Sequence, residues 1–265
     1  MVEVERLGER ITRRIAWIIL TILVAPALIA IPVSLTREKY LSLPWMGLSL
    51  RHYETIFASP EWVYSFLQSL GIGLCATVVA TSLGTLAAIG LWRTASAWGE
   101  FVRAILLLPL IMPPIISAMV LYRLFVPLRL IDTYFGVIMA HGVLASPLVL
   151  ITVSASLAAF DRRLDQASRN LGANTRQTIF RVIIPSVKPG IFAGAVFAFI
   201  ASWDEFVVTS FLSKFAIFTV PRRMWNGIRE NTDPTVAAAA VILLAVTLVT
   251  FFLWAGLSRR KQNQD

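Results

Sequence analysis

Six predominantly apolar runs succeed one another along the chain, at about Ile15–Leu35, Tyr64–Trp92, Phe101–Phe125, Tyr134–Phe160, Gly190–Leu212 and Val236–Leu257. Each reaches the roughly 20 residues over which a helix crosses hydrocarbon while satisfying its own backbone hydrogen bonds. The pattern predicts an all-α integral membrane protein with six spans. Basic residues precede the first run, and Ala25 and Ala27 form a small-x-small pair, as at a signal-peptide cleavage site. Its apolar stretch is too long for that reading, which predicts an uncleaved anchor.

The polar positions between the runs set the expected orientation. Fifteen of the 24 Lys and Arg residues fall on one side: Arg6, Arg10, Arg13 and Arg14, then Arg93 and Arg103, the 162–188 group, and Arg259, Arg260 and Lys261. The other side holds the remaining nine. Retention of basic residues in the cytoplasm places both termini there. Composition agrees with a membrane protein: 57% of the 265 residues are hydrophobic, 15% are charged, and the mean hydropathy is +0.73. The net charge of +9 would suggest nucleic acid in a soluble chain, but topology accounts for it and no nucleic-acid partner is expected. The single cysteine, Cys75, excludes an intrachain disulfide and a cysteine-built metal site. No phosphate loop, HExxH or GxSxG occurs, so the chain is expected to be no enzyme and to hold no nucleotide or metal itself.

Two loops on the predicted outer side are long. Residues 36–63 carry Pro44, Trp45 and Trp62, which suits an interfacial segment with aromatic anchors. Residues 213–235 carry Val220, Met224, Trp225 and Ile228 at helical spacing, and Asp233-Pro234 is an N-cap and N1 pair for the last span. The inner loop 161–189 predicts two helices around a glycine. Asp161 caps the first, whose Leu164, Ala167 and Leu171 share a face; Gly172 ends it; Asn174 with Gln177 opens a second that stops before Pro185. Such a projection suits a groove on a soluble partner.

Within that loop, Gln166-Ala167-Ser168, then Gly172, then Val182-Ile183-Ile184-Pro185 resembles the coupling motif of permease subunits of binding-protein-dependent ABC importers. That motif reads Glu-Ala-Ala, three residues, Gly, nine residues, Ile-x-Leu-Pro, and both spacings are kept. Gln166 stands where the family has its acid, Ser168 where it has its second alanine, and Asp165 lies one position early. The resemblance extends over essentially the whole chain. It implies a six-helix, type I (MetI-like) permease in a bacterial inner membrane, forming a single domain over residues 1–265. It further implies a second permease subunit, an extracytoplasmic binding protein, and two ATPase subunits that carry ATP and Mg. The expected ATPase-coupling residues are Asp165, Gln166, Ala167, Ser168, Arg169, Leu171, Gly172, Ala173, Arg176 and Pro185. The stretches Ala201–Ser213 and Val220–Ala240 are similar to the spermidine and putrescine permease subgroup, which implies a small cationic nitrogen compound as substrate.

Residues inside the spans add candidates. Asp204 and Glu205 are adjacent acids beside Trp203, and intramembrane carboxylates face a cavity, a partner charge or a water path. Together the three can offer charge and an aromatic face to an ammonium group. Equally open is that the two acids pair with Arg222, Arg223 or the second permease and never meet substrate. Pro109, Pro113 and Pro114 interrupt the third run, and Pro113 and Pro114 mark either a gating bend or a static kink. His141 is expected to be hydrogen-bonded within the bundle, and Gly190 with Gly194 to allow a close helix contact. Other substrates (another small amine, an amino-acid-like or opine-like solute) stay open. So does an ion-coupled carrier using Asp204, Glu205 and His141.

Overall fold

The computed structural model describes the backbone of residues 2–94, 96–230 and 233–262, and the side chains of 12–94, 96–229 and 233–256. The side chains of Arg6, Arg10, Arg259, Arg260 and Lys261, used for the orientation, lie outside the described side chains. All regular structure among the described residues is helical. In chain order the helices are α1 (Val2–Ser34), α2 (Arg51–Ala58), α3 (Pro60–Thr94), α4 (Ala97–Ile111), α5 (Pro114–Phe125) and α6 (Tyr134–Ala158). Next come α7 (Arg162–Asn170), α8 (Thr175–Thr178), a π-helical turn (Ile179–Ile183) and α9 (Ile184–Ser186). The last four are α10 (Lys188–Trp203), α11 (Val207–Leu212), α12 (Val220–Glu230) and α13 (Thr235–Gln262).

Four helices are each long and apolar enough to cross a membrane, and two bent pairs bring the number to six if each pair is one span. The interruption expected at Pro113 and Pro114 is present in the third run, and the fifth run is broken where a single span was expected. The third run is not one straight helix, because α4 and α5 meet at 108° around Met112 and Pro113. Adjacent prolines explain it. Pro114 has no N–H to give, and each residue before a proline is forced out of the helical region, with Met112 at ψ 139° and Pro113 at ψ 134°. Pro109, by contrast, remains inside α4. The fifth run also divides: α10 ends at Trp203, and Asp204 and Glu205 form a break before α11 rather than lying within a helix. Glu205 Oε1 accepts a hydrogen bond from the Val208 N–H at 2.8 Å, so the carboxylate caps α11 in competition with continued helix.

Residues Met1–Val63 and Met224–Ala245 pack as one unit. Along the apolar stretch of α1 no residue is buried, as expected of a span whose neighbour is lipid. Its end is fastened by Ser34 Oγ to the Tyr53 hydroxyl at 2.7 Å. His52 is buried, with Nδ1 3.3 Å from Thr235 Oγ1 and Nε2 3.2 Å from the Glu38 carbonyl. Asp233 Oδ1 accepts from the Thr235 N–H at 2.9 Å, the expected cap of α13.

Residues Tyr64–Arg223 and Val246–Asp265 form the other unit, with α6 at its core. Val149, Val153 and Leu157 of α6 pack with Ala80, Ala88 and Ile89 of α3 and with Ile183, Val187 and Ala198. Glycines let the backbones approach. A Cβ on Gly194 would lie 2.5 Å from Thr152 Oγ1, and one on Gly190 would lie 2.8 Å from the Thr152 carbonyl oxygen. The close contact expected of Gly190 and Gly194 is therefore made, between α10 and α6. His141 is 2% exposed, with Nδ1 2.8 Å from Ser202 Oγ and Nε2 2.9 Å from Thr209 Oγ1. It ties α6 to α10 and α11 inside the bundle.

Candidate functional site

The 161–189 segment folds as a helix, a glycine turn and a second helix. Asp161 Oδ1 accepts from the Arg163 N–H at 2.9 Å and starts α7. Gly172 sits at φ +83°, a conformation costly for residues with a Cβ, and its N–H donates to the Arg169 carbonyl at 2.9 Å. Ala173 closes the turn on Ser168 at 3.0 Å. Asn174 and Gln177 form the reciprocal capping box, each backbone N–H donating to the other's side-chain oxygen, at 2.8 and 2.9 Å. One expectation fails here: the second helix does not stop before Pro185. The chain widens into the π-helical turn at Ile179–Ile183, and Pro185 lies within α9. The wider turn gives the ring room where an α-helical carbonyl would clash.

The sides of α7 differ in what they meet. Asp165 and Ser168 turn toward their own chain: Asp165 pairs with Arg93 at 3.5 Å and Arg169 at 3.2 Å, and Ser168 Oγ lies 3.0 Å from Thr178 Oγ1. Gln166, Ala167 and Leu171 are exposed, Leu171 at 89%. Arg176 is also exposed, its guanidinium 6.0 Å from the Phe180 ring. The acid at position 165 is thus engaged within the chain, whereas Gln166 faces outward.

The second candidate region is a cavity of about 240 Å3 lined by Pro109, Pro114, Ser117, His141, Ser202 and Glu205 among others. It brings together only part of the predicted path. Glu205 and Pro114 line it; Pro113, Trp203 and Asp204 do not. Trp203 is 3% exposed and stacks on Phe199 at 5.8 Å, so it offers no open aromatic face. Asp204 is exposed beyond the cavity. The Arg222 guanidinium donates to the carbonyls of Ile217 and Lys214. Arg223 Nε donates to Ser65 Oγ at 2.7 Å.

One residue that sequence reasoning missed organises the 213–219 segment. Asp132 accepts hydrogen bonds from Ser213 Oγ and from the backbone N–H groups of Lys214, Phe215 and Ala216, and its own N–H donates to the Leu212 carbonyl at 2.7 Å. Its φ is +61°, as Asp tolerates better than most residues, and Arg129 nearby is at +55°. The sequence signal was only a turn-forming Asp-Thr before an apolar run. Burial works against the charge, but the hydrogen bonds prevail and lower the carboxyl from 3.8 to about 2. A lowered folded-state value means stability that is present above pH 4 and lost as pH falls toward 2. Asp132→Asn places an NH2 group among donors and is expected to destabilise the protein by about 1–3 kcal/mol at neutral pH. Thermal melting in detergent should show the gap between wild type and Asp132→Asn closing as pH falls through that range.

Similarity to known proteins matches this architecture. Residues 80–263 match the family model described as binding-protein-dependent transport system inner membrane component. The spermidine/putrescine transport system permease protein PotC of Haemophilus influenzae is 28% identical over 93% of this chain and 95% of its own length. The putrescine transport system permease protein PotI of Escherichia coli K12 is 30% identical, covering 92% and 89% of the two chains. Among solved structures, a chain of a bacterial alginate ABC transporter in complex with an alginate pentasaccharide-bound periplasmic protein aligns with a TM-score of 0.73 at 16% identity, over 97% of this chain and 96% of that one. A chain of the inward-facing MetNI methionine ABC transporter aligns with a TM-score of 0.61 at 18% identity, over 76% and 98%. These last two show a shared fold, and the family match covers well over half of the sequence. The chain belongs to the inner membrane components of binding-protein-dependent transport systems, the permeases of ABC importers.

Proposed function

We propose that this permease imports a small cationic amine, with a polyamine such as putrescine or spermidine as the substrate. In this reading, residues 1–265 form one permease domain with both termini in the cytoplasm. It pairs with a second permease, takes substrate from an extracytoplasmic binding protein, and docks two ATPase subunits that alone hold ATP and Mg. The coupling surface comprises Asp165 through Arg169, Leu171, Gly172, Ala173 and Arg176, with Pro185 ending the transmitting segment. The exposed face of α7 supplies the docking contacts, while Asp165 and Ser168 hold the helix to its own chain. ATP-dependent closure of the ATPase pair selects between inward-facing and outward-facing states through differential binding.

The observation that carries the substrate class is a carboxylate in the interior cavity. Glu205 lines it with one oxygen engaged by the Val208 N–H, among the hydroxyls of Ser117 and Ser202 and the ring of His141. A carboxylate on the wall of an otherwise largely apolar cavity is chemistry for an ammonium group, in accord with the relatives named for polyamines. Asp204 gives a second negative charge just outside, where a longer polycation extends. Trp203 acts by packing rather than by contact, and the prolines between α4 and α5 form a bend at the cavity wall. Glu205→Gln removes one charge-assisted contact of about 1.5–3 kcal/mol, so labelled putrescine uptake by the reconstituted complex is expected to fall about tenfold or more. Asp204→Asn should fall less. Wild-type uptake by an assembled Glu205→Gln complex refutes the assignment of this cavity to the substrate path.

A further inference from the structure

We propose that α3 carries movement of α7 to the 213–220 segment at the opposite end of the same unit, with the Arg93–Asp165 ion pair as the latch between α7 and α3. This rests on the reading of α7 as the helix that docks the ATPase.

The attachments of α7 are polar and few. None of its residues is buried, so no apolar core fixes it. Asp165 Oδ1 lies 3.5 Å from Arg93 Nη2, and the two side chains are only 15% and 17% exposed, which shields the pair from much of the screening that weakens surface charges. Arg162 places its guanidinium 5.3 Å from the centre of the Trp92 ring, next to Arg93 on α3. Two consecutive α3 residues therefore grip two α7 residues.

From that grip α3 runs without a proline to Gln68, about 38 Å at 1.5 Å per residue. It packs closely against α6: a Cβ on Gly142 would meet Val79 Cγ1 at 2.5 Å. At the far end Gln68 Nε2 donates to the Ala216 carbonyl at 3.2 Å and to the Tyr134 hydroxyl at 2.7 Å, while Oε1 accepts from the Phe218 N–H at 2.8 Å. Ser69 Oγ accepts from the Val220 N–H at 2.8 Å. A shift of α7 that keeps the ion pair moves α3, and α3 moves the backbone of residues 216–220. The covalent route from α7 to α10 is a poorer transmitter, since it passes a π-helical turn and a 72° bend at which displacement is taken up.

The test uses the full complex of both permeases and ATPases in nanodiscs, with ATPase activity read with and without putrescine-loaded binding protein. Arg93→Gln is expected to assemble, melt near wild type and keep its basal ATPase rate, while stimulation by the loaded binding protein falls about tenfold. Exchanging the charges, Arg93→Asp with Asp165→Arg, should restore stimulation, which a merely structural defect would not allow. Gln68→Leu at the other end should reduce stimulation as Arg93→Gln does. Undiminished stimulation in Arg93→Gln overturns the latch, and so does a loss that the exchange leaves unrepaired in a complex melting like wild type. Gly172→Val separates the two ideas: if it leaves stimulation intact, the docking reading is wrong, whereas if it abolishes stimulation and Arg93→Gln does not, only the latch is wrong.

Discussion

Gly172→Val is expected to weaken attachment of the ATPase subunits about tenfold and to abolish most transport. At φ +83° a residue with a Cβ carries about 1–2 kcal/mol of strain, more when it is β-branched, so the chain relaxes by leaving the left-handed conformation. The turn then loses the hydrogen bonds of Gly172 to Arg169 and of Ala173 to Ser168, and α7 swings relative to α8. A strain of that size leaves roughly a tenth of the molecules in the docking conformation, and apparent affinity falls by the same factor. Collision within the chain is not the cause, because no atom lies within 4 Å of a Cβ built at Gly172. Gly172→Asn isolates the backbone contribution, since asparagine tolerates the left-handed region at small cost. Co-purification of the ATPase with the permease pair should rank wild type above Gly172→Asn, and Gly172→Asn well above Gly172→Val. Equal, severe losses in both variants would place the effect on the exposed surface and reject the conformational account.

The parts of this fold that were legible in the sequence obey local rules. Apolar length marked the spans, and Asp161, Asn174 with Gln177, Gly172 and Asp233 announced helix ends that the structure forms. The parts that were illegible depend on competition between local signals or on contacts across the chain. Pro113 and Pro114 announced an interruption of the third span, but not that α4 and α5 would meet at 108°. The fifth span was extended over Asp204 and Glu205 because their flanks are apolar, but Glu205 caps α11 instead. Pro185 signals a helix end before it, but the chain answers with a π-helical turn instead.

The site divides in the same way. The proposed coupling surface is contiguous in sequence, so its resemblance to the family motif could be recognised from spacing. The cavity draws Pro114, His141 and the neighbouring Ser202 and Glu205 from three distant regions of the chain, and no periodicity links the three. Asp132 is the extreme case. Its partners Ser213, Lys214, Phe215 and Ala216 lie some eighty residues away, and nothing in their types foretells the pairing. Trp203 shows the converse difficulty: its place next to two acids suggests an open aromatic face, whereas the side chain is 3% exposed and stacked on Phe199.

Gly84→Leu is expected to destabilise the unit built around α6 severely. A Cβ on Gly84 would stand 2.6 Å from the Ser146 carbonyl oxygen, 2.6 Å from Val149 Cβ and 2.9 Å from the Leu150 backbone nitrogen. Two of those neighbours are backbone atoms of α6, which cannot rotate away as a side chain can. Accommodation therefore requires α3 to retreat along its length, opening the cluster of Ala80, Ala88, Val149 and Val153. Overpacking of this kind costs about 1–3 kcal/mol even when side chains give way, and the loss of neighbouring contacts adds to it. Membrane spans gain little from apolar burial between helices, so close backbone packing is a larger share of what holds them together than in a soluble protein. Gly71, on the same helix, is exposed and has no atom within 4 Å of a built Cβ, so Gly71→Leu controls for the change in helix propensity and apolarity. Gly84→Leu should lower the melting temperature in detergent sharply and reduce recovery of assembled complex, with Gly84→Ala intermediate and Gly71→Leu near wild type. Equal melting of Gly84→Leu and Gly71→Leu would mean that α3 and α6 are not packed at this point, and would remove the support on which α3 acts as a rigid connector.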